Sequence, residues 1–214
     1  MARKHRKFHF SKNERNRVAE AVKAAESHTS AEIVPVVLQE SSHYTEFQFA
    51  LGIFFLLMSY LGFCLAIWRG HPLSPLWMMV IQMGSLSFGL LFFMVPSLKH
   101  LLIPRDIQRR KAFESAAISF IRAGLASPQG ESSVLIFISI LERQIYFLPD
   151  AKVTQKVNQD FWEKQVKHMV DGIHQGQPIE ALCAAIDQTG KILAQHFPIT
   201  GEHQNRISNQ LREE

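Results

Sequence analysis

FQFALGIFFLLMSYLGFCLAIW, residues 47–68, and PLSPLWMMVIQMGSLSFGLLFFMVPSL, residues 72–98, decide how this 214-residue chain is read. Neither stretch holds an acidic or basic side chain. At 1.5 Å per helical residue the first reaches about 33 Å, and a bilayer's hydrocarbon core is about 30 Å thick. Between them stands Arg69-Gly70-His71-Pro72, followed by Leu73-Ser74-Pro75. Glycine and two prolines so close together set a tight turn. The expectation is a two-helix transmembrane hairpin, helices about 47–68 and 76–98. Trp68 and Trp77 sit at its loop end, where indole rings suit the interface. The competing possibility, a buried hairpin of a soluble all-helical core, calls for a polar face on a helix, and neither stretch has one.

Charge is distributed to match. The chain carries 23 Lys/Arg and 19 Asp/Glu, a net charge of +4, yet within residues 47–98 only Arg69 is charged. With 47% apolar residues, a wholly disordered chain is excluded. Two cysteines, Cys64 and Cys183, cannot build a disulfide framework and read as buried thiols. The N-terminus is basic, but no apolar segment follows it before residue 47, so no signal peptide is expected. Lys99, Arg105, Arg109, Arg110 and Lys111 follow the second helix, whereas the turn offers only Arg69. Positive charge therefore places both termini in the cytoplasm and the turn outside. The basic cluster at residues 3–17, together with Arg105, Arg109 and Arg110, is expected to meet anionic lipid headgroups rather than nucleic acid.

Inside the hairpin, Gly62 with Ala66 and Ser85 with Gly89 are four apart, a spacing that permits close backbone contact. Gln82 is a strongly polar side chain well inside the second span, suited to a packing contact with a neighbouring helix and too little to define an ion path.

The flanking segments read as ordinary globular protein. Ser11 and Glu14 fit a capping box opening a helix that ends near His28. AEIVPVVL, residues 31–38, reads as a buried strand, with Pro35 pushing it toward an edge or bulge. After the hairpin, Phe113, Ala116, Ala117, Phe120 and Ile121 form an apolar helical stripe ending at Gly124. VLIFIS, residues 134–139, and QIYFL, residues 144–148, read as a strand hairpin. Helical pattern follows over 151–174, in one or two pieces, and over 178–196, then a polar tail. Residues 1–46 offer one helix and one strand, too little to bury a core. The expected fold class is therefore α/β: one small mixed sheet between helices, cut in sequence by the hairpin. Its parts are 1–46, the hairpin 47–98, 99–198, and a tail 199–214.

The segments Thr29–Val37, Gly124-Leu125, Val134–Ser139 and Glu142–Tyr146, with Phe161-Trp162, Ile186 and Leu193–Pro198, resemble the TPM domain family, in its bacterial membrane-inserted, split-domain form. The resemblance covers nearly all of residues 11–198. It implies an α/β sandwich with a small mixed sheet. Family members are associated with repair of photosynthetic complexes and with accessory roles at membrane receptors, and a phosphatase-type activity has been proposed among them. This chain departs from the commoner pattern of an exported domain with a C-terminal anchor. It also has Phe147-Leu148-Pro149-Asp150 where a Gly-rich segment usually follows the third strand.

Candidate chemistry is sparse. Glu32, Glu142 and Asp150 lie at strand ends and, if gathered, would suit a divalent cation or acid–base work. The plainer alternative makes Glu142-Arg143 a solvated turn and Asp150 a helix N-cap. Glu32, in an apolar strand, needs a partner, and Arg143 is the candidate for a structural pair. His168 and Asp171 are three apart on a helix, but His174 lies on another face, which favours a solvated surface. No P-loop, dinucleotide fingerprint, nucleophile elbow or HExxH motif is present. The sequence thus points to an interaction or accessory module for a membrane complex, with no cofactor. A metal-assisted phosphatase-type hydrolase is the alternative.

Overall fold

β1, Glu32–Leu38, and β2, Ser133–Ser139, lie side by side in parallel, although the hairpin separates them in sequence. The structure, a computed structural model, describes residues 10–42, 44–71, 74–93, 95, 102–126, 132–199 and 212–213. Two compact units emerge. One runs Ser42–Gln108; the other joins the stretch ending at Ser41 to the stretch beginning at Arg109. The divisions between these units fall at 41/42 and 108/109.

The hairpin unit holds α2, Thr45–Trp68, and α3, Pro75–Phe92. Both are long and apolar enough to cross a membrane. They pair with each other along a seam of small residues. A Cβ on Gly89 would stand 2.8 Å from the Gly52 Cα, so only glycine permits this approach. The expected pair Ser85 and Gly89 lies on this seam, with the Ser85 and Ser59 hydroxyls 3.0 Å apart. Gly62, by contrast, has nothing within 4 Å of a Cβ position. Phe55 meets Phe88 and Phe92 edge to face. The remaining apolar surface is open, Trp68 at 82% exposure.

The α/β unit is built on a sheet of order β3-β2-β1-β4. Every β1 residue from Glu32 to Leu38 pairs in register with β2 from Ser133 to Ser139. β3, Gln144–Pro149, returns antiparallel to β2. All seven β1 residues are buried, as in parallel strands covered on both faces. One face carries Ile33, Val37, Ile136 and Phe147 against α1 (Lys12–Glu26), α5 (Ala151–Lys156), α6 (Gln159–His174) and α7 (Pro178–His196). The other carries Val34, Val36, Leu135 and Phe137 against α4 (Arg105–Arg122) and Leu125. Ser11 and Glu14 form the expected capping box on α1. The helical pattern over 151–174 breaks at Val157, and Asn158 caps the second piece by accepting from the Asp160 amide.

Several expectations need correcting. The apolar stripe on α4 holds in part: Ala116 is fully buried and Phe120 packs against the core, but Phe113 and Ile121 are 51% and 66% exposed, and Gln108, Ala112 and Ser119 complete the buried row. Small side chains let a helix sit close to its support, so the bulkiest residues were a poor guide to the buried face. Pro35 does not interrupt pairing with β2. Among the described residues, the outer side of β1 pairs only at Val36 and Val37, with the two-residue β4, Arg212–Glu213. Cys64 is exposed and Cys183 half-buried, so neither is a core thiol.

Candidate functional site

Parallel α/β sheets place ligands beyond the carboxyl ends of their strands. Here that end is marked by Leu38 and Ser139, and a buried polar network closes it. The chain turns after Ser139 through Ile140–Arg143 and re-enters the sheet at Gln144. Arg143 adopts a left-handed conformation, φ 54°, as a tight strand hairpin demands of one of its residues. This turn points Glu142 inward. Its Oε1 accepts from the Ser41 amide at 3.0 Å, and its Oε2 accepts from the Ser139 hydroxyl. The Ser41 hydroxyl donates to Ser139 Oγ at 2.8 Å, and the Ser115 hydroxyl donates to the Ser41 carbonyl at 2.7 Å.

The chemistry available to this network follows from its burial. Ser139 is 1% exposed and Glu142 2%. A nucleophile or base must reach its substrate, and these groups reach one another. Both carboxylate oxygens already hold a donor, so neither stands open to a substrate. The network fastens Ser41, the last residue before the hairpin unit, to the β2–β3 turn and to α4, the helix that follows the hairpin. Glu142 is therefore neither a solvated turn residue nor an open ligand.

The other predicted acids lie elsewhere. Glu32 opens β1 opposite Ser133, six pairs from Ser139, or about 20 Å at the rise of a strand. Asp150 also lies at the Ser133 end, its amide donating to the Ser133 carbonyl at 2.9 Å. Its carboxylate accepts from the Val153 amide at 2.7 Å and caps α5. Glu32 and Asp150 thus flank one strand end while Glu142 occupies the other, and the three do not converge. The Glu32–Arg143 pair fails for the same reason, because Arg143 is exposed in the distant turn. Glu26, which the sequence did not single out, is also buried, its Oε1 accepting from the Ile33 amide at 2.9 Å. It joins the end of α1 to β1.

His168, Asp171 and His174 are all exposed on α6, and among the described residues no group of three or more potential metal ligands forms. Arg105, Arg109 and Arg110 are exposed at the start of α4, with Arg110 3.8 Å from Glu114. Of the basic cluster, residues 3–9 lie outside the described residues. Arg17 pairs with Glu180 at 3.1 Å, and Arg15 donates to the Phe10 carbonyl. Tyr146 borders α4: its hydroxyl donates to the Arg109 carbonyl at 3.2 Å, and its ring meets Phe113 edge to face. Burial raises its pKa above 10.0, and Arg109 partly offsets this.

No family model matches the chain, and no curated protein matches it. It is similar in fold to a solved structure, the NMR structure of the BA42 protein from the psychrophilic bacterium Bizionia argentinensis. The TM-score is 0.60, the identity 15%, and 100% of each chain is covered. At that identity the likeness concerns the fold alone.

Proposed function

We propose that this chain is a bacterial inner-membrane protein whose α/β unit, of TPM type, acts as an interaction or accessory module for a membrane complex. The hairpin crosses the bilayer twice and both termini lie in the cytoplasm. The observation that carries this is the unmatched apolar surface of α2 and α3. Within the described residues they cover little beyond Gly52 and Gly89, and side chains such as Leu57, Leu65, Met79 and Leu91 stand open. Burying an apolar side chain contributes about 1.5–3 kcal/mol, so sheltering ten in lipid yields on the order of 20 kcal/mol. That exceeds the whole stability of a typical domain, about 5–15 kcal/mol.

Topology supports the same orientation. The strands before and after the hairpin share one sheet, so both flanks must occupy one compartment. Exposed Arg105, Arg109 and Arg110 favour the side with anionic headgroups, each contact adding about 1 kcal/mol. The polar network at the sheet's carboxyl end is consumed internally, which favours a module that binds over one that hydrolyses, and no cofactor is assigned.

The test uses full-length protein in its native membrane. Carbonate washing is expected to leave it in the pellet, and protease applied from the periplasmic side is expected to cut only near residues 69–75. Crosslinking before solubilisation is expected to recover a specific membrane partner. Release by carbonate defeats the spanning assignment; repeated recovery of nothing specific defeats the accessory role.

A further inference from the structure

The hairpin seam is closed over one half and open over the other. Around Gly52 and Gly89 the backbones touch. Toward the Trp68–Trp77 end they part, leaving a groove of about 240 Å³ lined by Ser59, Gly62, Phe63, Met78, Ile81 and Gln82. No charged side chain lines it. Ser59 and Ser85 bond each other, and each also bonds a carbonyl of its own helix. The Gln82 carboxamide is different: among the described residues it makes no hydrogen bond, though half-buried at the groove wall. In water that state is ordinary. In hydrocarbon no solvent can take its place, so the amide must find a partner from another chain.

We infer that this groove docks the same groove of a second copy, Gln82 against Gln82, making the protein a homodimer through its hairpin. The inference rests on the membrane-spanning assignment above. A second copy fits because a carboxamide both donates and accepts. Two of them beside a two-fold axis satisfy each other, N–H to C=O in both directions, since such an interface joins one patch to its own copy and residues at the axis face their twins. An uncharged groove offers nothing to select a partner of opposite charge. Gly62, bare of neighbours within 4 Å, lowers one wall so that a foreign helix can come close.

The experiment uses full-length protein, each copy carrying one dye at Lys164→Cys after Cys64→Ser and Cys183→Ser, in phosphatidylethanolamine–phosphatidylglycerol vesicles. Subunits are counted by photobleaching at rising lipid-to-protein ratio. Dimers are expected, dissociating on dilution. Gln82→Leu is expected to shift the midpoint toward monomer by roughly tenfold, the range of an interhelical hydrogen bond in lipid. Gln82→Asn, which keeps an amide, is expected to retain most of the dimer. With no dye, Met78→Cys in the same cysteine-free background is expected to crosslink to its twin. Monomers at every dilution, as a foreign helix or an acyl chain in the groove would give, overturn the inference. So do dimers indifferent to Gln82→Leu. Carbonate washing of the same vesicles separates the two failures: a chain that stays but is monomeric refutes only the dimer, whereas a chain that washes off refutes the spanning assignment.

Discussion

Replacing Gly190 with alanine adds one methyl where α1 and α7 come closest. Built on the backbone, that Cβ stands 2.6 Å from the Ala25 Cβ and 3.0 Å from the Ala25 Cα. Carbon atoms rest about 3.5–4.0 Å apart, so the helices must separate by about 1 Å. Two effects then compete. Glycine to alanine inside a helix gains about 1 kcal/mol of intrinsic propensity. Overpacking a close interface loses about 1–3 kcal/mol. The expected net effect is a loss of about 1 kcal/mol. In an Ala25→Gly background the 2.6 Å contact is gone while the 3.0 Å approach to the Cα remains, so Gly190→Ala costs less than in the parent chain, a coupling of about 1 kcal/mol. Native-state amide exchange of α1 and α7 in detergent micelles reads this locally, without requiring the whole chain to unfold in two states. Additivity of the two single changes within about 0.5 kcal/mol refutes the reasoning. The consequence reaches past one contact. α1 precedes the hairpin and α7 follows it, so their coupling measures how firmly the divided α/β unit is joined.

Arg143 holds a left-handed backbone, which costs a side-chain-bearing residue about 1–2 kcal/mol, so Arg143→Gly is expected to raise the stability of the β2–β3 hairpin by about 1 kcal/mol; slower exchange of its amides checks this, and faster exchange contradicts it. Glu142→Ala removes the acceptor of the Ser41 amide and the Ser139 hydroxyl, and at about 1–3 kcal/mol per stranded buried group the expected loss is about 3 kcal/mol, read from exchange at β2 and β3; an unchanged rate speaks against the network. Burial holds the Tyr146 hydroxyl neutral and its folded pKa above 10.0, so the folded state keeps the proton longer than the unfolded state does. Its contribution is full below pH 10 and is lost as pH climbs past it; Tyr146→Phe should flatten the alkaline decline in stability above about pH 10, and parallel declines in both proteins would exclude this origin.

Local chemistry was readable from sequence wherever it acts over a few residues. The capping box at Ser11 and Glu14, the cap at Asp150 and the two apolar stretches each rest on neighbours within a turn or on uninterrupted composition. The strands were readable from their apolar, β-branched runs. What escaped depends on distant partners. Glu142 is held by Ser41, 101 positions away, and Ser115 meets Ser41 across 74. Serines at strand ends look like turn formers, and no periodicity marks them as donors to one carboxylate. The buried face of α4 was legible in part: Ala116 and Phe120 stood on the expected stripe, whereas Gln108, Ala112 and Ser119 carry too little apolar bulk for periodicity to mark them. The convergence of Glu32, Glu142 and Asp150 failed because each was placed at a strand end without knowing which end.

A long excursion between paired strands is thermodynamically mild. Parallel neighbours always need a crossover of a dozen residues or more, usually through a helix. Here α4 is that helix, and the hairpin is an addition to the connection between β1 and α4. Loop-closure entropy grows only with the logarithm of length, about 0.6 kcal/mol per doubling. Stretching a crossover of about 30 residues to about 90 therefore costs on the order of 1 kcal/mol. Against this stand seven registered β1–β2 pairs and cores on both faces of the sheet. Ser41 and Ser115 lie on the outgoing and returning limbs of the excursion, and both are bonded into the network around Glu142. The buried carboxylate thus sits where both limbs of the lengthened crossover meet the end of the sheet, and its bonds to Ser41 and Ser139 fix that junction.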